Sequence, residues 1–107
     1  MRGVRFFAIV FALWACLPAM LRAEPAPVEC AIAPDGESAS VMLTNPRNDR
    51  ASCQANCKFA TGVYNDNPQI ICTKPVPGKK QVEMCILRAT GNKFQSVVAA
   101  MADCRKL

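Results

Sequence analysis

Two cysteines four residues apart, Cys53 and Cys57 in RASCQANCKF (residues 50 to 59), are the residues best suited to chemistry. Such a pair can clip a metal, cycle between thiol and disulfide, or staple the fold. Zinc needs four ligands, and structural sites draw them from short Cys spacings or from His. The chain has no histidine, and no second short-spaced Cys pair accompanies the first. A redox pair is typically Cys-x-x-Cys at a helix start, where the thiolate is stabilised. Here the spacing is longer and the local pattern is that of a strand. Both chemistries are therefore set aside in favour of a staple. Acid-base catalysis has no better footing. Asp35, Glu37, Asp49, Asp66, Glu83 and Asp103 are scattered, mostly among turn residues. Ser38, Ser40 and Ser52 lack a nucleophile elbow or a Ser-x-x-Lys motif. Gly78 and Gly91 stand alone and make no phosphate loop. The expectation is a non-enzyme with no catalytic residues, no cofactor and no metal.

The elements that hold these thiols follow from periodicity. Ala51, Cys53, Ala55, Cys57 and Phe59 occupy one parity, while Ser52, Gln54, Asn56 and Lys58 occupy the other. Period two over this length predicts a half-buried antiparallel strand. On a strand, residues four apart lie about 13 Å apart on one face, and a disulfide needs Cα atoms within about 7 Å. Cys53 cannot bond Cys57, so each must reach a different strand. The partners are Cys30, Cys72, Cys85 and Cys104. A hairpin centred near Tyr64 and Asn65 would set Cys57 opposite Cys72, with Cys53–Cys85 and Cys30–Cys104 completing the set. A second hairpin centred near Gly78 and Lys79 would instead pair Cys72 with Cys85, and both solutions stay open. Cys85 has the parity opposite to Val82 and Met84, which requires either a bulge or a bridge on the other face.

The amino terminus bounds the compartment. Arg2 and Arg5 precede the apolar run Phe6 to Leu17, Pro18 breaks that run, and Leu21-Arg22-Ala23 offers a cleavage site. This is the form of a secretory signal spanning residues 1–23, with the apolar run too short for a membrane span. The alternative is a lipoprotein anchored through Cys16, since Leu13-Trp14-Ala15-Cys16 loosely resembles an acylation motif. Export places the protein in the periplasm or outside the cell, with no transmembrane segment once the signal is removed. The six remaining cysteines then read as a disulfide framework. The chain's net charge of +5 also shrinks on cleavage. Its 13 basic residues lose Arg2, Arg5 and Arg22, so ten face eight acidic ones for a net +2. That balance is weak support for nucleic-acid binding, and none is expected. Cleavage also removes Trp14 and leaves Phe59, Tyr64 and Phe94 as the only aromatics. So small a core needs staples.

Residues 24–29 read as an extended, Pro-rich lead-in to a single disulfide-rich domain over 30–107. Strands are expected at 40–45, 51–59, 69–73 and 81–89, with Val82, Met84 and Ile86 on one side of the last. Pro77 and Gly78 predict a type II turn over 76–79, with Gly78 supplying the positive φ. Residues 94–104 suit either a strand or a C-terminal helix, and their strand neighbours favour strand. Short strands separated by turn residues predict an all-β fold, a small disulfide-stabilised antiparallel β-sandwich of immunoglobulin-like form.

SVMLTNPRNDRASCQANC, CTKPVPG and QVEMC with the terminal ADC together resemble small exported cysteine-rich proteobacterial proteins of immunoglobulin-like character. The resemblance covers most of residues 30–104. It implies the fold, and it carries no activity or site, since that group has none assigned.

Loops on a rigid scaffold carry recognition, which singles out 45–50, 64–68 and 74–80. Arg47, Tyr64, Asn65, Lys74, Lys79 and Lys80 are the candidate binding residues, with Tyr64 the aromatic anchor. The expected function is an exported binding or structural protein whose partner is a protein or an envelope component. The alternative is an inhibitor of a secreted enzyme that presents the rigid loop KPVPGKK. The lysines have a simpler reading too, as charges that keep sheet edges unpaired.

Overall fold

The computed structural model describes residues 23–107. The signal-peptide and Cys16 readings fall on residues 1–22, outside the described residues. Seven strands follow in order: β1 Glu24–Pro25, β2 Val28–Ile32, β3 Ser38–Thr44, β4 Ala51–Thr61, β5 Gln69–Val76, β6 Gln81–Arg88 and β7 Phe94–Lys106. All pairings are antiparallel, in two sheets ordered β1-β7-β4-β5 and β2-β3-β6. The fold is an all-β, disulfide-stabilised sandwich. The lead-in is extended, forming β1 and the start of β2. In immunoglobulin terms β2, β3 and β6 take the places of strands A, B and E, and β4, β5 and β7 those of C, C′ and F. The place of a last strand beside β7 holds only the two residues of β1.

β4 is the middle of the larger sheet, and its alternation is realised in full. Ala51, Cys53, Ala55, Cys57 and Phe59 are buried, as is Thr61 at its end. Ala39, Val41 and Leu43 of β3 face them from the other sheet. Among the described residues, the one aromatic contact joins Phe59 and Phe94, with ring centroids 5.1 Å apart. Residues 94–106 are a strand. Ala99, Ala100 and Ala102 favour a helix when isolated, but β7 pairs with β4 from Phe94 to Lys106, and that ladder overrides local propensity.

The disulfides join Cys30 to Cys57, Cys53 to Cys104 and Cys72 to Cys85. The pairing built on Cys57–Cys72 is therefore corrected, and the open alternative for Cys72 holds. The reason is register. Cys72 lies opposite Ala55, while Cys57 lies opposite Ile70, so the β4–β5 hairpin is offset by two residues from the one assumed. Cys53 and Cys104 are direct cross-strand neighbours with Cα atoms 4.0 Å apart. The other two bridges span the sheets, from β2 to β4 and from β5 to β6.

A bulge settles the parity of Cys85. Val41 pairs with Cys85 and Met42 with Glu83, which leaves Met84 as the extra residue. Val82 and Cys85 can then both face inward, and Ile86 turns outward to 54% exposure rather than sharing the face of Val82. The turn after β5 also differs from expectation. Lys80 N–H donates to the Pro77 carbonyl at 3.3 Å, and the positive φ of 60° falls on Lys79, not Gly78. Gly78 is needed for another reason: a Cβ there would collide with the Asn48 carbonyl oxygen.

Loop-closure entropy ranks the bridges. Cys53–Cys104 closes 51 residues and Cys72–Cys85 closes 13, worth about 4 and about 3 kcal/mol in the chain-entropy description. The C53A/C104A protein should lose more stability in urea than C72A/C85A. Non-reducing peptide mapping of the parent should recover the three pairs above.

Candidate functional site

The sandwich presents loops at two ends, and the candidate residues divide between them. One end carries loop 45–50, turn 77–80, the chain terminus and Glu24. Its backbone links are Asn45 N to Lys80 O at 3.0 Å and Lys79 N to Arg47 O at 3.0 Å. The other end carries loops 33–37, 62–68 and 89–93. The eleven residues of β4 separate the ends by roughly 35 Å. Arg47, Lys74, Lys79 and Lys80 lie toward the first, Tyr64 and Asn65 at the second. They do not form one site.

The first end is organised by Asn45, a fully buried side chain. Its Nδ2 donates to the carbonyls of Asp49 and Val76 at 3.0 Å and lies 3.3 Å from that of Pro77. Its Oδ1 accepts from Arg47 N at 2.9 Å. One amide thus ties loop 45–50 to the turn after β5. By sequence Asn45 reads as an ordinary loop residue, because the two carbonyls that tie it to the other loop lie 31 and 32 positions away.

Charges at this end are unequal in availability. Arg47 donates to Asp49 at 2.9 Å and to Glu24 at 2.7 Å, so its charge is locally answered. The hydrogen bond to Asp49 comes first in raising the Arg47 pKa, and the same bond holds the Asp49 carboxyl below its ordinary value, with a smaller pull from Lys106. Lys79 Nζ reaches the Pro46 carbonyl, and Lys74 Nζ donates to the Glu83 carbonyl at 2.6 Å. Lys74 therefore covers an edge carbonyl of β6. Among the described residues, no carboxylate forms an ion pair with Arg50, Lys80, Arg105 or Lys106. Arg105 and Lys106 were not candidates from sequence. They reach this end only because β7 sets them opposite Ser52 and Ala51, a register no local pattern shows.

The second end is a hairpin tip. Tyr64 is 90% exposed and covers nothing. Asn65 adopts a φ of 63°, and Asp66 N donates to the Val63 carbonyl at 3.2 Å. Asn is among the few residues that tolerate this left-handed backbone. The Asp66 carboxylate accepts from Asn92 Nδ2 and from Thr61 Oγ1, both at 2.9 Å. Those bonds, Asn92 first, hold the Asp66 pKa below its ordinary value.

Among the described residues, no three His, Cys, Asp or Glu side chains converge to hold a metal ion, and no helix is long and apolar enough to cross a membrane. No family model, no curated protein and no solved structure matches the chain.

Two outcomes follow from these networks. Asn45→Ala should cost about 2–4 kcal/mol in urea unfolding, since buried carbonyls lose their donor. Asn45→Asp, of the same shape, should cost more by aiming a carboxylate at those carbonyls. For Asp66 the folded pKa is depressed, so its contribution is complete above the unfolded value and lost as pH falls through the folded one. Amide protection across 61–66 should therefore fall below about pH 4. In Asp66→Asn that acid-dependent loss should be absent.

Proposed function

We propose that the protein is exported, non-enzymatic and binding, and that it engages an anionic surface of the cell envelope through its basic end. The observation that carries this reading is charge segregation. Arg50, Lys80, Arg105 and Lys106 lie at one end without ion-pair partners among the described residues, joined by the tethered Lys74 and Lys79. The opposite end holds Asp35, Glu37 and Asp66 against Arg88 and Lys93. Glu24, Asp49 and Asp103 lie at the basic end too, so the excess there is close to the mature chain's net +2, and clustered charge attracts an oppositely charged surface. Three disulfides suit an oxidising compartment. Export to the periplasm or beyond, through the amino-terminal signal, belongs to the same proposal.

The inhibitor reading has less support. An enzyme cleft would require KPVPGKK to stand out as extended chain, whereas residues 77–80 close into a turn pinned by Asn45 and packed on Asn48.

Vesicles containing an anionic lipid should bind the mature protein at low salt and release it at high salt, while vesicles of zwitterionic lipid alone should not bind. Each basic side chain near such a surface contributes about 1 kcal/mol. The double variant Lys80→Ala/Lys106→Ala should therefore weaken binding about thirtyfold, and Tyr64→Ala should leave it unchanged. Binding that is indifferent to salt, or lost in Tyr64→Ala and kept in the lysine variant, would overturn the proposal.

A further inference from the structure

The outer edge of β7 is open along most of its length. β1 pairs only with Cys104 and Asp103, and Ala26 N–H adds one bond to the Ala102 carbonyl. Among the described residues, no strand covers 95–101 on that side. β5, at the far side of the same sheet, carries Lys74 and Pro75. In the other sheet, β2 carries Glu29 and follows Pro27, while β6 carries Glu83 and Arg88 and has an edge carbonyl capped by Lys74. Charge, proline and side-chain cover are the usual means of keeping a strand edge from pairing.

β7 lacks all three over FQSVVAAMA, residues 94–102, which contains no charge, glycine or proline. Bulges at Val98 and Gln95 add twist without covering the edge. Beside it lies a shallow apolar depression of about 440 Å³, lined by Pro25, Ala26, Val28, Ala100 and Met101 among others. Val97, Val98 and Met101 are 41%, 55% and 69% exposed. This is the surface of a sandwich short of one strand.

We propose that a second copy of this chain supplies it, with β7 pairing antiparallel to β7 of its partner over residues 95–101 in a two-fold dimer. Charge selects both occupant and direction. Lys93, in an exposed 3.6 Å pair with its own Glu37, stands just before the neutral stretch and Asp103 just after it, so antiparallel pairing carries each Lys93 toward the Asp103 of the other copy, where it can be shared between the two carboxylates. Parallel pairing would set Lys93 beside Lys93. Each β7 also runs from the mixed-charge end to the basic end of its sandwich. The antiparallel dimer places the two basic ends far apart, each next to the Asp35, Glu37 and Asp66 end of its neighbour. A two-fold contact is self-complementary and closed. It gives the unpaired amides and carbonyls partners, as in strand addition, sets Val98 against Val98, and brings each Met101 opposite Gln95 and diagonal to Val97 of the other copy.

Sedimentation equilibrium of the mature protein should give a dimer mass that dissociates on dilution. Amide exchange in 95–101 should slow as concentration rises. Val98→Lys, at an exposed position, should sediment as a folded monomer. Lys93→Asp should weaken association about tenfold, and adding Asp103→Lys should restore it. A protein that stays monomeric up to about 1 mM, a range in which weak association is populated, would overturn the proposal. So would assemblies that grow past the dimer, a dimer unaffected by Val98→Lys, or one whose 95–101 amides exchange equally fast at all concentrations.

Discussion

The interior of β4 is the constraint on which the rest depends. Its buried residues are Ala51, Cys53, Ala55, Cys57, Phe59 and Thr61, so the central strand brings one aromatic and otherwise only small groups to the core. A domain of this size with so little apolar volume gains too little from burial to stand alone. Sulfur replaces volume. Cys57 fastens β4 to β2 in the opposite sheet, and Cys53 fastens it to β7 in its own. The spacing of four matters because it points both thiols inward while keeping them too far apart to bond each other.

With the middle held this way, the two ends are free to differ. The end bearing Asn45 is rigid: a buried amide, a close backbone approach at Gly78 and the Arg47 ion pairs lock two loops together. Rigidity there fixes the positions of charges that have no ion-pair partner among the described residues. The Tyr64 end carries three loops, and its hairpin tip is held by Thr61, Asp66 and Asn92. The surface binding proposed for the basic end would rest on a preorganised frame, which lowers the entropy cost of binding. The open edge of β7 links the two ends, since that strand runs from Phe94 beside one to Lys106 at the other.

Much of the architecture was legible in local pattern. Alternation revealed β4, and turn residues separated the strands that follow it. Failures came where distance along the chain hides proximity. The Cys57–Cys72 pairing assumed a hairpin centre one residue from the real one, and a strand register cannot be counted from turn composition to that accuracy. Ile86 was placed on the face of Val82 because the parity of Cys85 allowed either a bulge or a bridge on the other face, and only the register of β3 and β6 selects the bulge. Asn45 looked like one polar residue in a polar loop, although its partners come from the end of β5. Tyr64 and the lysines were grouped by surface character, and the length of β4 separates them.

By itself, the sequence determined that the chain is a small strand-rich domain stapled by its own cysteines, and that Cys53 and Cys57 take different partners. Period-two alternation and covalent geometry are local, so they can be read without a structure. Tertiary structure decided which cysteines meet, which basic residues gather, and which edge stays open. Those properties depend on the register of strands distant in sequence. A shift of one residue in that register would turn every side chain to the opposite face.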